Sequence, residues 1–537
     1  MNSSKAQNKT NVDYLIQSPL EHFAKVTPNK AALAIQGRTM TYAELDSTSN
    51  KLANSLIKNG ALPQDRVGIF HHKELELGVA IYGALKAGCV FVPLDPFMPA
   101  DRLGFIIEDC DIRHIISSDV QFNTLSDLKN TTELHCYGVE KELPFIQTRW
   151  AEIAESSPTN PSVIMIDQDL GYIMYTSGST GAPKGMMHTH HGSVTYSRWG
   201  VSYVDMKAED NVASHAPLHF DLSIFDFFST ARVGATVVLV PEAITKFPAS
   251  WTNYIEKEQI SIVFTVPYTL VTMLEQGAMD QRDLSCLRWV LFGGEPFPPA
   301  KLRSVMAELS SANFSNIYGP AEAPCCTTYE VPKPLPESND PLPIGVVSSN
   351  STDLIIDAND MEVKPGESGE LCIRSSTLMK GYWNRPDLND RAFLEIRKPG
   401  KLTRNFYRTG DRVLRDENGQ LHFLGRMDRM VKTRGHRVEL DEIEAVLSDH
   451  IGVYEFAAFA VPDEHGSVSI MAAVTSKPSF DVSVSELMKL AKSKLPPYAI
   501  PREIYLLDEM PHTSSGKIDR RVLVDLWQDK LVLGNSI

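Results

Sequence analysis

The sequence predicts an α/β protein: a large N-terminal domain of parallel-rich sheets with helices plus a small β unit, followed by a small α+β C-terminal domain. Three observations predict this. A chain of 537 residues exceeds one ordinary core. Apolar strand-like runs alternate with helical runs through the first half. After about residue 340 the texture shifts to short β segments and then to a compact mixed segment.

The elements follow in chain order. Thr41 with Glu44 fits a capping box, Leu45, Leu52, Ala53 and Leu56 recur on one helical face, and Gly60 supplies a stop. Strand-like "RVGIF" begins at Arg66, a helical stretch runs to Gly88, and "CVFVPL" from Cys89 has the pattern of a buried strand. Strand, helix, strand in that order gives a parallel sheet with helices on its faces. The rhythm continues through "HIISSD", "ATVVLV", "SIVFTV" and "RWVLFGG". "GESGELCIRS" and "GQLHFLGRMD" then form the small β unit. Beyond Asp428 come a helix around "LDEIEAVLSDH", a strand in "SIMAAVTS", a helix around "SELMKLAKSKLP" and a loop-rich end. The boundary falls at Arg426 to Arg429, dividing 1–427 from 428–537; this basic, glycine-flanked stretch is either a hinge or a plain connector.

Composition narrows the function. Hydrophobic content of 43% with 22% charged residues describes a soluble globular protein. The start "MNSSKAQNKTN" lacks a signal-peptide layout and no apolar run approaches a membrane span, so a cytoplasmic protein with no membrane partner is expected. Seven cysteines without a C-x-x-C pair form no disulfide framework. Adjacent Cys325 and Cys326 raise a metal or redox site, but no His or Cys stands at ligand spacing, which favours packing. A net charge of −15 argues against nucleic acid. The basic stretch "GRMDRMVKTRGHR", Gly425 to Arg437, is either a solvated loop or a patch that receives an anion.

The chemistry begins at "YTSGSTGAPKG", Tyr175 to Gly185. Its glycines let the backbone approach a ligand, Ser177, Ser179 and Thr180 supply short donors, and Lys184 supplies a point charge. The segment is suited to phosphate yet is no Walker P-loop, because Lys184 sits between Pro183 and Gly185. Further on, "NIYGPAEA" (Asn316 to Ala323) sets an aromatic and an acid beside a Gly-Pro turn, "YRTGD" (Tyr407 to Asp411) ends in a carboxylate, and "SSGKIDRR" (Ser514 to Arg521) carries a lysine in a loop.

The order and spacing of these segments resemble the acyl-adenylate-forming superfamily of acyl-CoA synthetases, luciferases and nonribosomal-peptide adenylation domains, over about Thr41 to Arg521. The resemblance implies that a carboxylate attacks the α-phosphate of ATP and releases pyrophosphate, with Mg²⁺ as cofactor. It implies an ATP site of Thr176, Ser177, Gly178, Ser179, Thr180 and Gly181, with catalytic Lys184, gripping the β- and γ-phosphates. Gly294, Glu295 and Gly319 belong to the same implied site, Tyr318 lies against the adenine and Asn316 on its edge. Asp411 takes the ribose hydroxyls with Arg426 nearby, and Glu322 takes the metal; on their own, Asp411 also fits a turn acid and Glu322 a surface acid. Lys517 matches the catalytic lysine that bridges the substrate carboxylate and the nucleotide. Asp428 matches the hinge about which the small domain turns, bringing Thr433 to Arg437 toward the site, with Gly435 lining a pantetheine tunnel for thioester formation.

"HFDLSIFDFF", His219 to Phe228, decides the subclass. Asp221 stands where amino-acid-activating members keep a carboxylate for the α-ammonium; the alternative is that it caps the helix that follows. Aligned by motif, the acid pocket is Phe220, Asp221, Leu222, Phe225, Phe264 or Thr265, Leu291, Gly293, Ile317, Cys325 and Cys326, with Lys517 from the other domain. Such a set implies a small apolar side chain. It is similar to the stand-alone enzymes that load L-proline onto a carrier protein, as in anatoxin-type pathways, with D-alanine–carrier-protein ligases second and acyl-CoA ligases behind them. The tail "LGNSI" superficially matches a phosphopantetheine attachment site but has no helical bundle around it, so the expected acceptor is a separate carrier protein with its phosphopantetheine arm. A non-catalytic nucleotide-binding relic is disfavoured by retention of Lys184, Glu322, Asp411 and Lys517, and a luciferase-like oxidase by Asp221.

Overall fold

Strands that are apolar along their whole length must be covered on both faces, and the N-terminal part does this by packing two large sheets against helices between them. The computed structural model describes residues 13–129, 133–178, 182–397, 403–463, 465–478, 480, 482–513 and 517–533. Among these, one sheet has nine strands and runs from Val346–Val347 through Thr327–Glu330, Asn313–Tyr318, Trp289–Gly293, Ile262–Thr265, Asn211–Ser214, Thr236–Leu239 and Ala31–Ile35 to Arg38–Thr41. Its inner pairs are parallel, as Val263 beside Val290 and Leu291 beside Ser315 illustrate. The second sheet has eight strands and centres on Leu170–Thr176, Val90–Pro93, Arg66–Phe70 and Ile112–Ser117.

One apolar core takes in Leu33 and Val237 from the first sheet, Val67 and Phe91 from the second, and Leu52 and Ile81 from the helices between. Those helices are Tyr42–Lys58 and Leu75–Lys86. The first starts at the expected capping box: Thr41 Oγ1 accepts from the Glu44 amide at 3.2 Å, and Glu44 returns the bond to the Thr41 amide at 2.8 Å. Such a cap is worth about 1 kcal/mol. The two helices approach closely because position 83 is glycine; a Cβ there would lie 2.7 Å from Leu52.

The small β unit is an antiparallel sheet of Ser351–Ile356, Ser368–Ser375, Arg404–Arg415, Phe393–Ile396 and Leu421–Arg426. The chain then turns through Asp428 into the hairpin Met430–Thr433 and His436–Glu439. Helices Leu440–Ser448 and Val484–Lys494 pack on a sheet of Val453–Pro462, Val468–Ser476 and Glu503–Leu506. The expected loop-rich end is a correction: it holds the strand Glu503–Leu506 and the helix Arg520–Leu533. That helix packs Leu523, Val524 and Trp527 against Phe459 and Met471 of the small sheet, and Asp519 caps its start by accepting from the Arg521 amide at 3.1 Å. The tail "LGNSI" lies outside the described residues apart from Leu533.

Among the contacts that join the parts are two away from the crevice. Arg102 on helix Ala100–Asp109 bonds Glu442 at 2.5 Å with both side chains nearly buried, and Ser467 donates to Glu295 at 2.9 Å. No described helix is long and apolar enough to cross a membrane.

Candidate active site

The parallel strands of the nine-stranded sheet end together, and the backbone turns that follow them leave a crevice of the kind where open α/β sheets gather ligands. A cavity of about 120 Å³ lies there, walled by Phe264, Gly293 and Ile317 at those strand ends, by Met174 and Thr176 from the second sheet, and by Asp221. Met430, Lys432, Gly435, Arg437 and Tyr498 from the C-terminal part close it from above.

At the corner beside Ser177 and Lys184, Glu322 is fully buried. Arg437 Nη1 reaches both of its oxygens at 2.9 Å, Tyr382 donates to Oε1 at 2.7 Å, and Lys184 Nζ lies 3.8 Å away. Burial works to raise this carboxyl, but Arg437 and then Lys184 hold it well below the usual carboxylate range. Burial, and then Arg437, push the Lys184 ammonium down to about 8. Lys184 also lies over the Tyr382 ring, 4.8 Å from its centroid. Ser177 donates to the Arg437 carbonyl at 3.0 Å and accepts from the Glu439 amide at 3.3 Å. Thr176 lines the cavity and Gly178 stands beside Ala182, whereas Ser179, Thr180 and Gly181 lie outside the described residues.

The structure gathers most of the expected nucleotide residues and reassigns some. Asp411 accepts from Arg426 Nη1 at 2.7 Å and from the Tyr318 hydroxyl. Gly294, Gly319, Asp411 and Arg426 line the cavity. Asn316 gives its amide to the Pro343 carbonyl at 2.9 Å. Glu295 does not line the cavity; it accepts from the Tyr268 amide and from Ser467 of the C-terminal part, both at 2.9 Å.

In the acid pocket, Phe220, Asp221, Leu222, Phe264, Gly293, Ile317 and Cys325 form the wall. Asp221 lines the cavity, and the Lys432 ammonium and the amides of Asp221 and Leu222 favour its charged form. Burial pushes this carboxyl up to about 6, against the pull of the Lys432 ammonium. Phe264, not Thr265, takes the wall position: Thr265 is buried and shares a hydrogen bond with His215 at 3.2 Å. Phe225 stands behind, edge-on to Phe264 at 5.6 Å, and Leu291 is buried in the same core. Cys326 is buried behind the wall, its thiol donating to the Ala323 carbonyl at 2.7 Å. Cys325 has φ +53°, a left-handed conformation uncommon for a residue with a side chain.

Lys517 is a correction for this arrangement of the two parts. It is exposed in a turn whose backbone pairs with Thr513, and it does not line the cavity. The face turned toward the cavity is the hairpin, where Gly435, φ +81°, sits so close to Val266 that a Cβ would come within 2.5 Å. Asp428 accepts from Arg426 Nε at 2.9 Å and from the Met430 amide at 3.2 Å, fixing the turn between the parts.

Comparison with known proteins decides the family. The family described as AMP-binding enzyme matches residues 20–383, and its C-terminal domain matches 442–517. The chain belongs to the AMP-binding enzymes. The likeness expected from the motifs to acyl-adenylate-forming enzymes is thereby borne out. The enzyme is 31% identical to an L-proline--[L-prolyl-carrier protein] ligase of Pseudomonas fluorescens, over 95% of this chain and 98% of that one. It is 32% identical to zwittermicin A synthase ZmaJ of Bacillus cereus, over 96% and 95%. Its fold matches the Vibrio cholerae adenylation domain AlmE, solved with glycyl-adenosine-5'-phosphate, at TM-score 0.83 and 23% identity over 96% and 98% of the two chains.

Several site residues of this AMP-binding enzyme are not picked out by its motifs. Tyr196 faces the cavity from helix His190–Tyr203, and its signal is the buried spacing Ser193, Tyr196, Ser197, Gly200 on one helical face. Lys432 and Arg437 lie in the basic stretch, but only the fold shows that they turn inward. Tyr498, stacked on His436 at 4.0 Å, carries no local signal in "LPPYAI". The described residues hold no cluster of three or more His, Cys, Asp or Glu that would bind a metal by protein ligands alone. Glu322 is a single buried carboxylate and would hold a hard divalent cation only with waters and phosphate oxygens as the other ligands.

Proposed function

We propose that this enzyme activates an amino acid, L-proline, with ATP to the aminoacyl-adenylate, releases pyrophosphate, and passes the aminoacyl group to the phosphopantetheine thiol of a separate carrier protein. The observation that carries the reading is Asp221: a carboxylate on the cavity wall beside the apolar Leu222, Phe264 and Ile317 is a counter-charge for an α-ammonium. The named activity of the Pseudomonas fluorescens relative supports proline and a carrier acceptor. The aromatic pair Phe225 and Phe264 supports a compact apolar side chain.

In this reading Asp221 orients the zwitterion by its positive end and presents its carboxylate to the α-phosphate, a gain in proximity and alignment. Asp411 and Arg426 hold the ribose, Tyr318 and Asn316 the base, and Lys184 with Ser177 the leaving phosphates. Glu322 would hold Mg²⁺, which neutralises phosphate charge. Lys517 stabilises the charge that develops during adenylation once the small domain turns its other face inward. The arrangement described above, with Gly435 at the cavity and Lys517 outside it, is our assignment for the transfer step. Seven unpaired thiols suit a reducing, cytoplasmic setting.

ATP–pyrophosphate exchange across the L- and D-amino acids tests the reading. Strong exchange with L-proline alone is expected; preference for D-alanine, or for a carboxylic acid without an amine, overturns it. The hinge gives a second expectation. Asp428→Pro should leave exchange in place and slow carrier loading by about tenfold or more, because proline fixes φ at the turn that must change between the two steps. Equal loss of both steps would remove Asp428 as the pivot.

A further inference from the structure

The carboxylate assigned above to a metal is, in this structure, already fully engaged. Glu322 is 0% exposed and receives Arg437 Nη1 on both oxygens at 2.9 Å, with Tyr382 at 2.7 Å and Lys184 at 3.8 Å. Arg437 does not arrive alone. Ser177, in the phosphate loop, brackets the same strand His436–Glu439 by bonding the Arg437 carbonyl and the Glu439 amide. The strand and its guanidinium thus occupy both halves of the phosphate corner at once.

We infer that Arg437 and a divalent cation are alternative partners of Glu322, so that docking of the strand His436–Glu439 and loading of the metal exclude one another. The inference rests on the reading of Glu322 as the metal-binding carboxylate. A hard divalent cation coordinates carboxylate oxygen at about 2.1 Å. With Arg437 on both oxygens and Lys184 beside them, such an ion would stand against two like charges in a buried site. Withdrawal of the strand removes Arg437 and leaves Glu322 buried with too little positive charge, the condition that favours a metal. Each cation therefore makes the site that the other vacates. Arg437 is on this account a positioning residue: it takes over the charge of the departed metal and secures the transfer arrangement, and metal retained at Glu322 holds that arrangement off.

The test uses the full chain with Mn²⁺ as probe and inorganic pyrophosphate present, reading free Mn²⁺ by its electron paramagnetic resonance signal. Arg437→Gln is expected to bind Mn²⁺ about tenfold more tightly than the wild type, since the competing charge is gone. In the wild type, Mn²⁺ with pyrophosphate should raise hydrogen–deuterium exchange in residues 436–439, and pyrophosphate alone should not. Unchanged affinity in Arg437→Gln, or unchanged protection of 436–439, overturns the proposal. If Glu322→Gln leaves Mn²⁺ affinity as it was, the metal assignment of Glu322 has failed instead, and the proposal falls with it for that separate reason. Should Arg437→Gln not fold, Arg437→Lys carries the test: a single ammonium gives up the two-oxygen hold, so tighter Mn²⁺ binding by a smaller factor is expected, and none counts against the proposal.

Discussion

Lys517→Ala should lower aminoacyl-adenylate formation by at least about 10²-fold, measured as ATP–pyrophosphate exchange. A lysine that contributes only solubility would leave exchange unchanged. The structure sharpens the expectation, because Lys517 is exposed in a turn and supports no part of the core, so its truncation should not damage the fold. It is also absent from the cavity wall when Gly435 is present there. Transfer to the carrier from pre-formed aminoacyl-adenylate should therefore proceed at close to the wild-type rate in the same variant. Loss of transfer together with adenylation would show that one arrangement of the two parts serves both steps, and near-normal exchange would remove Lys517 from the chemistry.

Asp221→Asn should cut kcat/KM for the amino acid by about 10²- to 10³-fold, the cost of burying an ammonium whose partner has been removed. Asparagine keeps the shape and cannot carry the charge. The pH dependence gives a second reading of the same group. Burial, opposed by Lys432, raises the Asp221 carboxyl to about 6 in the free protein. The neutral acid dominates below that value and has no charge to offer the ammonium. KM for the amino acid should thus rise as pH falls through about 6 and stay level above it, while Asp221→Asn should show no such step. A wild-type KM that is flat from pH 5 to pH 8 would sink the assignment.

Much of this was legible locally. The buried strands at Arg66–Phe70, Trp289–Gly293 and Ile262–Thr265 announce themselves because both faces are covered and each run is apolar apart from a terminal residue. The box at Thr41 and Glu44 is a contact between residues three apart and needs no tertiary information. The strand Val453–Pro462 gave a poorer signal: alanines interrupt its pattern, and its partner Val468–Ser476 supplies what the side chains do not. The helix Arg520–Leu533 opens on Asp519, whose Oδ1 accepts from the Arg521 amide at 3.1 Å, a local cap that the expectation of a loop-rich end overlooks, and its inner face is held by docking.

The site divides in the same way. Glu322, Asp411 and Asp221 stand out because each sits in a short motif with its own chemistry. The pairing of Glu322 with Arg437 joins residues 115 apart, and that of Ser177 with Arg437 joins residues 260 apart. No local pattern encodes either, since both depend on how two separately folded parts meet. Neither Lys517 nor Glu295 lines the cavity, and Glu295 instead accepts from Ser467 of the C-terminal part.

The left-handed backbone at Cys325 limits how this pocket can be retargeted by mutation. Valine or isoleucine there, the obvious way to narrow the chamber, would crowd a β-branched side chain against its own main chain, whereas asparagine tolerates the geometry and would introduce polarity instead. Changes of selectivity should therefore accumulate at Tyr196 and Leu222, which line the same chamber and have no positive φ, leaving position 325 as a fixed point around which variants diverge.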